Sequence, residues 1–186
     1  MSEYFRELRQ KETIASRALA FIILTATRSG EARGAKWDEI DLDAATWTIP
    51  PERMKARKLF RVPLSSEATA ILEQVEPFRK GDWVFPGLSG KAPVTEAAVR
   101  KLLKATHSGL ATHGFRSTFR DWCAEMTSYP REIAESALAH VLENKTEAAY
   151  QRGDFLEKRR RLMEAWENHL LVFEQNVDVV PIRKEQ

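Results

Sequence analysis

The chain has 186 residues, 43% apolar and 30% charged, which fits one soluble domain with or without tails. Its single cysteine, Cys123, excludes an internal disulfide framework and any cysteine-rich zinc site, and reads as a buried apolar filler of a helix. A net charge of +2, from 29 basic and 27 acidic residues, does not announce a nucleic-acid surface, so the distribution of charge must carry that argument.

In chain order, Met1 to Lys11 is mixed in charge and leads into a first helix. From Ile14 through Leu24 the sequence is apolar over most of a helix circumference, the mark of a helix at the centre of a core. The apolar run Ala18 to Ala26 reaches only about half of the roughly 20 residues that a bilayer span needs, and no basic-then-apolar leader opens the sequence. The expectation is a cytoplasmic protein with no membrane partner. A polar continuation, Thr25 to Arg33, carries Arg28 and Glu31 on one face. The period then changes. Trp37–Leu42, Thr46–Ile49 and Leu59–Leu64 are short, rich in β-branched and aromatic residues, and separated by Asp43 and by Pro50-Pro51, which predicts a three-stranded antiparallel sheet. The basic cluster Arg53, Lys55, Arg57, Lys58 and Arg61 falls on its second hairpin.

A helix from Ser66 to Val75 follows, opened by Ser65-Ser66-Glu67 and closed by Pro77. Gly81 to Pro93 reads as loop, with Trp83-Val84-Phe85 docking on the core. Thr95 caps a helix to about Ala105, Thr112–Arg116 leads into a helix through Met126, and Tyr129-Pro130 separates it from a helix over Arg131–Ala139. Asp154-x-x-Glu157 has the spacing of a capping box. The long helix after it carries Phe155, Leu162, Met163, Trp166, Leu170 and Phe173 as one apolar stripe. The basic run Lys158 to Arg161 reads as a solvated face. The fold class is α+β, mainly α, with residues 1–174 as one domain and 175–186 as a tail with a strand-like Val-Asp-Val-Val-Pro-Ile.

No GxGxxG, P-loop, HExxH or GxSxG motif is present, and His107, His113, His140 and His169 lack carboxylates at ligand spacing, so neither a nucleotide cofactor nor a metal is expected. What remains is Arg28, Lys55, His113, Arg116, His140 and Tyr150. Arginine forks match the geometry of a phosphate, and two of them with histidine donors suit an oxyanion that gains charge in a transition state. Tyrosine can act as a covalent nucleophile and lysine as the acid for a leaving oxygen. Each residue also has a plainer reading: His113 as a satisfied core histidine, Arg28 as the ion-pair partner of Glu31, Tyr150 as a packing residue.

Taken together, TATRSGE (25–31), MKARKLFRVPL (54–64), THGFRSTFRDW (112–122), LAHV (138–141) and AAYQRGDF (148–155) resemble, in order, the signature blocks of tyrosine recombinases, and most of all the integrases of prophages and genomic islands. The resemblance spans about Ile14 to Leu171. It implies a helical catalytic domain with a small sheet, a fold shared with type IB topoisomerases, that recombines DNA at specific sites without a cofactor. By that resemblance Arg28 and Arg116 clamp the scissile phosphate, His113 is a phosphate ligand and proton-transfer partner, His140 donates to the same phosphate, Lys55 protonates the departing 5′ oxygen and Tyr150 is the nucleophile. Glu31 supports Arg28, and Arg53, Arg57 and Lys58 of the hairpin contact the DNA backbone. The implied partners are double-stranded attachment-site DNA, three further copies of the chain in a tetramer that exchanges C-terminal tails, and accessory DNA-bending proteins, in the bacterial nucleoid.

Ala26 stands where relatives commonly have glycine. Family members carry a helical core-binding domain, and often an arm-binding domain, ahead of this region, so the chain reads as the catalytic part, or a remnant, of a longer recombinase. The alternatives are DNA relaxation of the type IB topoisomerase kind, and a non-catalytic DNA-binding remnant.

Overall fold

In the computed structural model, which describes residues 1–106, 111–140 and 154–171, the apolar helix α2 (Ile14–Thr25) has every residue from Ala18 to Thr25 buried. Such a helix needs neighbours on all sides. It has them in α1 (Ser2–Arg9), α4 (Ser66–Val75), α5 (Glu96–Thr106) and α8 (Leu156–Leu171). The Phe21 ring centroid lies 5.4 Å from those of Trp47 and Phe85, and Trp166 Nε1 of α8 donates to the Ile23 carbonyl at 2.9 Å. Thr13 and Ser16 cap the helix reciprocally, each side-chain oxygen accepting the other's backbone N–H.

Two sequence expectations about this region change. Residues before Ile14 form a separate helix, α1, which buries Tyr4, Phe5 and Leu8. The polar continuation of α2 is broken, because Ala26 adopts a left-handed conformation (φ 50°) that ends the helix. The chain restarts at the short helix α3 (Ser29–Arg33), with Arg28 at its N-cap.

The sheet is antiparallel in the order β1 (Ile40–Asp41), β2 (Thr46–Ile49), β3 (Phe60–Pro63), with Trp47 opposite both Ile40 and Val62. The first strand is shorter than expected, since Trp37–Glu39 winds into a 3₁₀ turn. Glu39 Oε2 explains this: it accepts from the Lys36 N–H at 3.2 Å and from Trp47 Nε1 at 2.9 Å. Between β2 and β3, Pro51–Arg53 forms another 3₁₀ turn, followed by a loop in which Arg57 is left-handed.

Helix α4 starts at Ser66, but its free N–H is taken by a distant carboxylate: Glu167 of α8 accepts from the Glu67 N–H at 2.7 Å and from Ser66 Oγ at 2.5 Å. Val84 and Phe85 are buried, and the Val84 N–H donates to the Ala35 carbonyl at 2.9 Å, so this piece does dock on the core. Thr95 Oγ1 accepts from the Ala98 N–H as α5 begins. Then come α6 (Gly114–Met126) and α7 (Arg131–Ala137), the latter two residues shorter than expected.

Helix α8 begins two residues after Asp154, and the expected capping box with Glu157 does not form. Asp154 Oδ1 accepts from the Leu156 N–H at 3.3 Å, while its two oxygens hold Arg61 at 2.8 and 2.9 Å. The run 158–161 is only partly a solvated face. Arg159 is fully buried, donating to the Asp154 and Arg61 carbonyls at 2.7 Å each, and Arg160 donates to the Ala44 and Ala45 carbonyls at 3.1 Å. Leu162, Met163, Trp166 and Leu170 are buried as the stripe predicts, while Phe173 and the tail 175–186 lie outside the described residues. The architecture is mainly α with one small sheet, as the sequence implies. Among the described residues no helix is long and apolar enough to cross a membrane.

Candidate active site

Helix ends build the site. Arg116, in the first turn of α6, is buried, and its guanidinium gathers two helix C-termini. Nη1 donates to the Ala26 carbonyl at the end of α2 at 2.5 Å, and Nη2 donates to the Leu138 carbonyl at the end of α7 at 2.7 Å. The Leu138 carbonyl lies at the negative end of the α7 dipole and the Ala26 carbonyl just past α2, and both compensate part of the desolvation of the cation. Burial, and secondarily the charge of Arg28, pull the Arg116 guanidinium down to about 10, with Glu31 opposing; it remains protonated at neutral pH. Arg28 and Arg116 are thus near enough for the charge of one to act on the other.

His140 reaches the same guanidinium, with Nε2 at 3.2 Å from Arg116 Nη2. The end of α7 puts it there. The Ala139 N–H donates to the Ser136 carbonyl and the His140 N–H to the Glu135 carbonyl, the two bonds of a Schellman motif, with left-handed Ala139 (φ 51°) at its pivot. The motif folds His140 back over Glu135, whose Oε2 lies 2.6 Å from His140 Nδ1. Glu135 Oε1 accepts from Arg120 Nε at 2.9 Å, with Arg131 3.8 Å away. Burial alone would raise the Glu135 carboxyl, but the hydrogen bonds from His140 and Arg120 outweigh it and hold the group below the usual carboxylate range.

Arg28 is set by Glu31, which is buried three residues on. Glu31 Oε2 accepts from the Arg28 N–H at 2.9 Å and Oε1 from Arg28 Nη1 at 2.8 Å. His113 stands exposed at the N-cap of α6, one turn before Arg116. Lys55, Arg57 and Lys58 are exposed on the β2–β3 connection, which Met54 anchors by burying its side chain. Arg53 behaves differently from these neighbours: its guanidinium turns inward to the Glu39 carboxylate and the Glu31 carbonyl. Tyr150 lies outside the described residues. The structure thus joins Arg28 to Glu31 and Arg116 to His140, while Lys55, Arg57 and Lys58 stand exposed on the hairpin.

Sequence reasoning missed Glu135 and Arg120. The available signal was the spacing of Glu135 five residues before His140 across a helix end, which a Schellman turn brings face to face. Cys123, also on α6, is buried, and burial together with the Glu135 charge pushes its thiol up to about 12, so it is inert filler.

Arg116, with His140 on its guanidinium and two carbonyls at helix ends behind it, makes a cluster of donors of the kind that can hold an oxyanion. Residues 3–157 match the phage integrase family, and the chain belongs to that family. It is 41% identical to the prophage integrase IntA of Escherichia coli K12 over 148 residues, covering 77% of this chain and 36% of that protein. It is 32% identical to the integrase of Enterobacteria phage P4 over 173 residues (82% and 39%), and 32% identical to that of Shigella phage Sf6 over 162 residues (84% and 41%). The chain therefore spans about two-fifths of the length of these relatives. No solved structure matches it.

Proposed function

We propose that this chain is the catalytic domain of a site-specific DNA recombinase that cuts and rejoins strands through a 3′-phosphotyrosyl intermediate. The observation that carries the reading is the Arg116 guanidinium, anchored by two helix-end carbonyls with His140 on one nitrogen and the charge of Arg28 close by. In this mechanism Arg28 and Arg116 bind the non-bridging oxygens of the scissile phosphate. Tyr150 attacks phosphorus with His113 as proton partner, and the 5′ oxygen leaves with a proton from Lys55. The phosphotyrosyl bond conserves the energy of the broken diester, and a 5′ hydroxyl from the partner strand then displaces Tyr150. Preorganised donors of this kind are each worth about a hundredfold or more in rate.

Double-stranded attachment-site DNA is the substrate, with Arg57 and Lys58 on its backbone. Four copies act together, exchanging the tails 175–186 from domains over 1–174, with accessory DNA-bending proteins in the nucleoid. The names of the three relatives above, each an integrase, support integration or excision of a prophage or genomic island as the outcome. The test uses nicked suicide duplexes spanning candidate attachment junctions. The natural chain should form a covalent protein–DNA band that maps to Tyr150. Tyr150→Phe should form none while still binding DNA; a covalent band from that variant refutes the assignment.

A further inference from the structure

Glu135 decides what His140 can donate, and when. Arg116 Nη2 is an obligate donor, so the 3.2 Å contact makes His140 Nε2 the acceptor. The ring proton must then sit on Nδ1, facing Glu135 Oε2 at 2.6 Å. The carboxylate has no proton to give, because its interactions with His140 and Arg120 keep it ionised. A neutral ring with its proton on Nε2 would point the Nδ1 lone pair at that carboxylate, and this form is excluded. The only form of His140 that offers an Nε2–H beside Glu135 is therefore the imidazolium.

We propose that Glu135 is a positioning residue that holds His140 as its Nδ1–H tautomer in the free protein and makes oxyanion binding take up one proton at His140 Nε2. This rests on the phosphate-binding reading above. When an oxyanion docks, the Arg116 Nη2–H···Nε2 bond breaks and Nη2 turns to an anion oxygen. Solvent supplies a proton to Nε2, which then donates to the anion, and Glu135 offsets the new positive charge as a carboxylate behind an imidazole does. The other charged groups around the ring are Arg131 on α7, Arg116 and Arg120 on α6, and Arg28 with Glu31 on α3 beyond Arg116. No charged side chain of α8 bonds to it among the described residues. The consequence is a third cation in the anion cradle that exists only while the anion is bound.

The test is nitrogen NMR of the chain labelled with ¹⁵N-histidine, at mildly alkaline pH, with and without sulfate, whose own charge is constant there. His140→Ala assigns the signals. The free chain should show a protonated Nδ1 and a bare Nε2. At saturating sulfate both nitrogens should be protonated, and sulfate affinity should fall as pH rises, by about tenfold per unit once the free ring is neutral. Glu135→Gln can present its amide N–H₂ to Nδ1, permitting the neutral Nε2–H tautomer, so its sulfate affinity should lose that steep dependence while a merely structural role would leave it unaltered. A free ring carrying its proton on Nε2, or an Nε2 still bare at the highest sulfate concentration, overturns the proposal. The covalent-adduct assay on Tyr150 is independent of these signals, so failure of one reading is distinguishable from failure of the other.

Discussion

Arg53 separates two accounts of the basic hairpin. With Arg57 and Lys58 it reads from sequence as a DNA-backbone contact. In the structure it is a strut: Nη1 holds the Glu39 carboxylate, Nη2 holds the Glu31 carbonyl, and the side chains of Arg53 and Glu39 are only 20% and 7% exposed. Breaking an exposed pair costs up to about 1 kcal/mol and breaking a buried one about 3–5 kcal/mol. This half-buried pair lies between, and stranding the Glu31 carbonyl adds about 1 kcal/mol. Arg53→Met should therefore lose about 3 kcal/mol, or about 6–12 °C in Tm for a chain of this size. Arg53→Lys should recover only part of this, because an ammonium keeps the charge but not the planar fork that spans both acceptors. Urea titration followed by tryptophan fluorescence reads the loss. Duplex binding at several salt concentrations reads the alternative, in which removing a side chain from its phosphate lowers the salt slope by about one. Arg57→Ala and Lys58→Ala should lower the slope and leave the urea midpoint in place. If Arg53→Met behaves as they do, with an unchanged midpoint, the strut argument is wrong.

Ala139 sits at φ 51°, where a Cβ costs about 1–2 kcal/mol and glycine costs nothing in sterics, although glycine gives back about 0.4–1 kcal/mol through the unfolded chain. Ala139→Gly should be stabilising by about 0.5 kcal/mol, and a lowered Tm would contradict the assigned backbone. Acid should destabilise the protein through two carboxylates. Burial would raise Glu135 and Asp154, but hydrogen bonds from His140 and Arg120 to the first, and from Arg61 to the second with the charge of Arg159, leave both below their ordinary values. Their contribution is complete above the ordinary carboxylate range and is lost as pH falls through the lowered values. Glu135→Gln and Asp154→Asn should each reduce stability at neutral pH and converge on the natural chain in acid; differences that persist undiminished at low pH would refute this.

Much of this was legible in the sequence where the physics is local. The all-round apolar run became the central helix α2, Thr95 and the Asp/Pro punctuation placed later elements, and TATRSGE and THGFRSTFRDW marked the arginines of the cluster. Two kinds of feature were not legible. Helix ends at Ala26 and Ala139 depend on left-handed residues that alanine does not advertise as glycine would. Charge runs conceal which cations are committed inside the fold, because the partners are remote: Arg116 meets Ala26 across 90 residues and Arg159 meets Arg61 across 98. Composition cannot distinguish Arg53 or Arg159 from solvated neighbours; only the tertiary pairing does.

That distinction also explains how the site keeps its charge. A buried arginine is usually matched to a carboxylate, which would neutralise it toward any incoming anion. Arg159 follows that pattern beside Asp154. Arg116 does not: its bonds among the described residues go to two neutral carbonyls and an imidazole nitrogen, while the carboxylates Glu31 and Glu135 stand one step back, on Arg28 and His140. Helix dipoles can hold a cation in place without cancelling it. Two alanines in left-handed conformation make this arrangement available, since the chain reversals at Ala26 and Ala139 leave the carbonyls of Ala26 and Leu138, just past α2 and α7, facing one guanidinium. The strain of those two residues and the absence of a carboxylate on Arg116 among the described residues are thus consequences of the same backbone geometry.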